Sequence, residues 1–262
     1  MQTLTLQHGD AFAEFSLFGG QLLRWRAGGR ERLFMSPRAV LDGHAAIRGG
    51  VPVIFPQFNA RGPYARHGFA RTQPWRLREQ ADDRLLLELT DSEATRALWP
   101  HRFALHLEAR LAADTMVLTL DIENRDAFGM EFCCALHTYF ACTLGQTRVL
   151  GLADCSFEEG GDWHPASRQE ALMPSPPLDR IYRGRSPTLL LQDDGGTLSI
   201  EAEGFADWVV WNPGEAGAAA LADLGTGCSG AFLCIEPGAI FEPIRLASGE
   251  RWAGVLRLRV LG

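Results

Sequence analysis

Apolar and polar positions alternate along much of the chain. Residues 3–7 alternate and stop at His8-Gly9-Asp10, residues 11–17 break at Gly19-Gly20, and residues 22–26 end at Gly28-Gly29. Residues 84–89 and 103–110 read as adjacent antiparallel strands. In residues 116–124, Leu118, Leu120 and Ile122 face one way while Thr119, Asp121 and Glu123 face the other. In residues 252–261, Val255, Arg257 and Arg259 oppose Leu256, Leu258 and Val260. A side-chain period of two marks a strand with one buried face. One short helix is predicted over residues 92–99, stopped at Pro100. Gly and Pro, 28 and 14 in number, punctuate the rest as turn residues. Pro174-Ser175-Pro176-Pro177 reads as a rigid loop leading into residues 178–182. No repeat or linker interrupts the series. The expectation is an all-β sandwich or barrel, with residues 1–262 forming a single domain.

Composition narrows the chemistry. With 46% hydrophobic and 22% charged residues, a chain of 262 residues can bury a large core without staples. A formal net charge of -7 argues against nucleic-acid binding, and like charges are not blocked into runs. All 25 basic residues are Arg. Without Lys there is no Schiff-base chemistry and no P-loop lysine, so an anion would be held by Arg, His or backbone N–H groups. Cys133, Cys134, Cys142, Cys155, Cys228 and Cys234 lack zinc-site spacing and read as small buried hydrophobes in a reducing compartment. Neither a signal-peptide pattern nor an apolar run of membrane-spanning length is present, so a cytoplasmic, soluble protein is expected. Residues 225–230 are Gly-rich but no helix pattern follows, which fits a flexible connection better than a phosphate loop.

Polar groups interrupt apolar strands in three regions. In the first, Arg48, His67 and Arg71 lie near Gly49, Gly50 and Gly68, glycines that would let a ligand approach the backbone; solvated loop charges are the alternative. In the second, His137 ends an apolar strand on the face of Ala135 and Tyr139. It is either a satisfied core group or a proton donor and acceptor near neutral pH. In the third, Glu236 shares a face with Phe232 and Cys234. A carboxylate in that company is desolvated and raised toward the pKa of a useful base, unless Pro237-Gly238 ends the strand and leaves it in water. The remaining histidines, His8, His44, His101, His106 and His164, read as structural or solvated.

Taken in order, IRGG-VPVIFPQF, HGFAR-TQPW, LHTYF, DRIY, VVWNP and CIEPG resemble the aldose 1-epimerase superfamily, and within it the hexose-6-phosphate mutarotase branch. The resemblance spans roughly residues 40–250. It implies a large antiparallel β-sandwich with the site on its concave face. It further implies Glu236 as the base on the anomeric O1 hydroxyl and His137 as the acid on ring oxygen O5. His67 would contact the sugar near the ring oxygen, Asp179 would bind hydroxyls, and Arg48 and Arg71 would lie at the phosphate. Arg61 or Arg66 would supplement phosphate binding or be solvated, and the loop bearing Glu215 would point away. Opening a hemiacetal takes one proton from O1 and gives one to O5, so an acid and a base suffice, with no metal and no organic cofactor. Trp25, Trp75, Trp208 and Trp211 are available to stack on a sugar face or to fill the core.

The reading is an isomerase acting on a small-molecule hexose 6-phosphate, with no nucleic-acid or membrane partner. A monomer is expected, because no exposed heptad or apolar edge is legible. The rivals are a free-aldose mutarotase, a non-catalytic sugar-binding module on the same fold, and a glycosidase in which Asp179 would partner Glu236.

Overall fold

The computed structural model describes residues 1–184 and 186–261. The alternating segments form strands within a residue or two of the expected limits, at Thr3–His8, Ala11–Ser16, Gln21–Ala27, Arg84–Thr90, Phe103–Leu111, Thr115–Asn124 and Arg251–Leu261. The Arg84–Thr90 and Phe103–Leu111 strands pair antiparallel, as expected. The predicted helix forms over Glu93–Leu98, where Ser92 and Thr95 close a reciprocal capping box.

The strands make three sheets, all antiparallel within. The first four strands form a small sheet. A nine-stranded sheet has the Gly196–Glu203, Arg251–Leu261 and Thr115–Asn124 strands at its centre. An eight-stranded sheet is built around the Leu178–Arg183, Asp207–Asn212, Phe232–Leu246 and Met130–Leu136 strands. Leu118, Leu120, Ile122, Leu256 and Leu258 from the larger sheet meet Phe132, Val210, Leu233 and Ile235 from the other in one buried cluster. The outward face of the larger sheet is polar. There His106 lies 3.3 Å from both Glu88 and Asp121 on the two flanking strands.

The eight-stranded sheet is covered on both faces, and this positions the site. In the Asp207–Asn212 strand, Trp208 and Val210 point into the inter-sheet core, while Val209 and Trp211 point to the opposite, concave face. Trp25, Trp75 and Trp208 are core residues. Of the four candidate tryptophans, Trp211 alone faces the cavity described below.

Glu236 is not at a strand end. The Phe232–Leu246 strand continues for 15 residues through Pro237. Its pairing with Met130–Leu136 stops at Gly238 and resumes at Cys234 with the Tyr139–Ala141 strand. Pro237 sits in that gap, where its missing N–H costs no ladder bond.

The glycines near Arg48 and His67 serve the backbone rather than a ligand. A Cβ on Gly49 would lie 2.5 Å from the Phe34 carbonyl oxygen, and one on Gly50 2.2 Å from that of Leu22. At Gly68 the φ is +64° and a Cβ would fall 2.0 Å from the Phe55 oxygen. Gly68→Ala is therefore expected to lower stability by roughly 2 kcal/mol or more, because positive φ and a backbone clash combine there. Gly9→Ala, with φ +57° but nothing within 4 Å, should cost about 1 kcal/mol. Urea unfolding of the two variants checks the difference; equal losses would show that φ alone matters.

Candidate active site

Sheet register creates the site. Ala135 pairs with Gly238, and Tyr139 pairs with Cys234. The register is the same on both sides of the break, so His137 lies opposite Glu236. The break itself frees His137 from the ladder: its N–H donates to the Pro52 carbonyl at 3.0 Å, and the Thr138 carbonyl accepts from Ile235 at 3.1 Å. On the other flank Val209 pairs with Glu236 and Trp211 with Cys234, while Asp179 pairs with Trp211. Alternation then places Asp179, Trp211, Glu236 and His137 on one face.

These side chains form the floor of a cavity of about 190 Å³, with Arg48, Arg66, His67 and Arg71 on its wall. Every expected site residue thus borders one cavity, although the candidates lie far apart in sequence. Arg61 does not line it; it is paired with Glu158 and lies over the Phe241 ring. Glu215 is also elsewhere, accepting from the Gly227 N–H and the Ser229 hydroxyl.

His137 Nδ1 and Glu236 Oε1 are 3.1 Å apart. The approach is close, but the ring is not aligned for a hydrogen bond, and Nδ1 and Glu236 Oε2 are buried without a partner. Both residues are almost fully buried, at 7% and 1% exposure. Burial raises the Glu236 pKa well above the usual carboxylate range; Asp179 pushes it further up and Arg71 opposes. Burial likewise holds His137 well below the usual imidazole range, helped by His67, Arg71 and Arg48. The two shifts favour a pair holding one proton between them over a wide pH range.

The imidazole is clamped. Tyr139 stacks on it at 4.8 Å with an 8° interplanar angle, and Trp211 meets it edge-on at 5.8 Å. His67 has a left-handed backbone, φ +64°, as does Asn59, φ +47°. The two residues hold each other: the His67 N–H donates to the Asn59 carbonyl, and the Asn59 N–H donates to His67 Nδ1 at 3.3 Å. Nδ1 is therefore an acceptor, which leaves the proton of the neutral ring on Nε2. Burial, with Arg71, Arg66 and Arg48 nearby, pushes His67 down to about 3, so it acts as a neutral donor.

The arginines differ. Arg48 is bound through Nε and Nη2 to both oxygens of Asp223, at 3.1 and 3.2 Å, and through Nη1 to the Tyr139 hydroxyl at 2.9 Å. Arg71 donates to the Arg66 carbonyl at 3.2 Å. Among the described residues no carboxylate is at ion-pair distance from Arg71 or Arg66. Asp179 is open to the cavity, its pKa raised by burial against the pull of Arg66 and Arg61. Asp223, Tyr139 and Asn59 escape a reading of the sequence, because each acts through a partner distant in the chain or through its backbone. As for metal donors, His137, Cys234 and Glu236 offer atoms within 4.8 Å of one another. Burial raises the Cys234 thiol well above its usual range, so an ion would first have to displace that proton.

A profile of the aldose 1-epimerase family matches residues 2–259. The chain belongs to that family, and is by this membership an isomerase acting on sugars. A relative from Cenchrus ciliaris, named "Putative glucose-6-phosphate 1-epimerase", is 31% identical over 94% of this chain and 80% of its own length. A relative of the same name from Escherichia coli K12 is 31% identical over 90% of this chain and 82% of its own. Among solved structures, a "putative mutarotase" from Salmonella typhimurium superposes with a TM-score of 0.86 at 27% identity, covering 99% of this chain and 90% of the other. The expected antiparallel β-sandwich is thereby borne out. No helix among the described residues is long and apolar enough to cross a membrane.

The Glu236 shift has a consequence for stability. Its folded-state pKa lies above its unfolded value, so stability from this group is full at low pH and is lost as pH rises toward the folded pKa. Glu236→Gln removes that penalty. Wild type is expected to lose stability relative to Glu236→Gln between pH 5 and pH 8, as compared by urea midpoints. A constant gap would mean that the carboxyl is not desolvated.

Proposed function

We propose that the protein interconverts the α and β anomers of a hexose 6-phosphate. The observation that carries this reading is the buried Glu236–His137 pair, 3.1 Å apart, at the floor of a cavity whose wall bears Arg71 and Arg66. O1 and O5 are both bonded to C1, so two adjacent protein groups can address them together. The reacting form of the one-proton pair is the tautomer with the proton on the imidazole, which burial makes the minor one: Glu236 as carboxylate takes the O1 proton while His137 as imidazolium gives a proton to O5. The C1–O5 bond breaks and C1=O1 forms. Rotation about C1–C2 presents the other face of the aldehyde. O5 then returns its proton to His137 as it attacks C1, and Glu236 reprotonates O1. The pair ends with the proton count it began with. His67 Nε2–H donates toward the ring, Asp179 accepts from hydroxyls, and Trp211 supplies an aromatic edge.

The phosphate reading draws on Arg71, a half-buried guanidinium with no carboxylate at ion-pair distance among the described residues, with Arg66 beside it. Arg48 contributes directed N–H groups. The pairing of Arg48 with Asp223 favours the free-aldose alternative, because it removes one free cation; two others remain. The family names of the curated relatives agree with a phosphorylated sugar.

Exchange NMR of glucose 6-phosphate at equilibrium, beside glucose and galactose, tests the reading; faster exchange of the free sugars alone would overturn it. Glu236→Gln and His137→Asn should each lower kcat by about 10²–10⁴-fold with the fold retained; near-normal turnover would remove that residue from the mechanism. Arg71→Ala should raise KM for glucose 6-phosphate by about tenfold or more while leaving KM for free glucose within about twofold, since a charge-assisted contact is lost only for the phosphate. Equal effects on both sugars would move the phosphate elsewhere.

A further inference from the structure

Asp223 has no place in the chemistry above, yet it is bound to one of the three arginines of the cavity wall. It lies in the connection between the Gly214–Ala220 helix and the Phe232–Leu246 strand and does not itself line the cavity. Its backbone is fixed, with the Ser36 hydroxyl donating to the Asp223 carbonyl at 2.6 Å. Both carboxylate oxygens are given to Arg48, whose side chain is 20% exposed against 25% for Asp223. The contact uses the Nε–Nη2 edge of the guanidinium, an edge that would otherwise bind an oxyanion through two parallel bonds. Nη1 is engaged by Tyr139. Of the five N–H donors of a guanidinium, two are left for a ligand.

We propose that Asp223 is the specificity-determining residue that sets the net charge of the cavity. It cancels the charge of Arg48 and turns that side chain into a fixed, electrically neutral pair of donors. Among the described residues, the attraction for an anion then comes from Arg71 and Arg66. This inference rests on the reading of a phosphorylated substrate, but its effect on anion binding is separable from turnover. The same arrangement links the charge balance to the catalytic imidazole, because the Tyr139 that accepts from Arg48 is the ring stacked on His137.

Asp223→Asn keeps the shape and one acceptor oxygen but unmasks a positive charge on the wall. With inorganic phosphate as the probe, followed by calorimetry at two salt concentrations, the variant should bind about three- to tenfold more tightly, with a steeper loss of affinity in salt. KM for glucose 6-phosphate should fall in the same sense, and KM for glucose should stay within about twofold. Asp223→Glu, which keeps the charge, should bind phosphate within about twofold of wild type. Weaker or unchanged phosphate binding by Asp223→Asn overturns the proposal, and so does a shift in Asp223→Glu as large as that expected for the amide. If wild type fails to accelerate glucose 6-phosphate exchange while Asp223→Asn still binds phosphate more tightly, the substrate reading falls and the role of Asp223 stands.

Discussion

The site depends on one constraint, the unbroken register across an interrupted ladder. Beyond a register shift between Phe132 and Cys134, the end of the Met130–Leu136 strand at Cys134 and Ala135 and the Tyr139–Ala141 strand keep the same alignment to the long Phe232–Leu246 strand, although two residues between them leave the strand conformation. Had the interruption inserted or removed a residue, His137 and Glu236 would no longer face each other, and a one-residue slip would turn Glu236 into the inter-sheet core. The break leaves the His137 N–H to bond the Pro52 carbonyl, and the register keeps the imidazole opposite its partner. Pro237 belongs to the same arrangement, since it is tolerated where no bond is asked of it.

Burial supplies the rest. A carboxyl and an imidazole in water would titrate independently near their ordinary values. On a sheet face sealed by Tyr139, Trp211 and Val209 they oppose ionisation in opposite directions, and a single proton held between them becomes the resting condition. Among the described residues five buried side-chain polar atoms lack partners, and two of them, His137 Nδ1 and Glu236 Oε2, lie together at the site, where such atoms are costly. At these two atoms a ligand with hydroxyl and ring oxygens would offer what is missing, as expected when stability is given up at a functional site.

Much of the fold was legible because strands with one wet face, such as Thr115–Asn124, alternate cleanly. The eight-stranded sheet was less so. Its Asp207–Asn212 strand is buried on both sides, and a run such as Trp208-Val209-Val210-Trp211 does not reveal which face carries the ligand. Glu236 was ambiguous for a local reason, since Pro-Gly ordinarily ends a strand and only the distant break beside His137 explains why it does not. The glycines around Arg48 and His67 stand out in the sequence, and what the structure packs against them is backbone: a Cβ on Gly49, Gly50 or Gly68 would meet a carbonyl oxygen. Asp223 was illegible, because it lies 175 residues from Arg48 in a Gly-flanked connection, and no local pattern announces a pairing at that range.

That pairing changes how the arginines should be counted. In a chain whose basic residues are all Arg, each guanidinium near the cavity looks equally suited to a phosphate. Their surroundings separate them. Arg48 is neutralised by a carboxylate, Arg61 is paired with Glu158 outside the cavity, and Arg71 is half-buried with only a carbonyl as partner. Burial lowers the pKa of Arg71 with Arg48 and Arg66 adding to the effect, whereas contacts with Tyr139 and Asp223 outweigh burial and raise that of Arg48. A half-buried cation lacking a counter-charge is the unstable member of such a set, and on the proposed reading it is the one that a phosphate dianion would relieve most. On the proposed phosphate reading, the affinity of the cavity for an anion therefore follows from which cation lacks a carboxylate partner, rather than from the number of arginines around it.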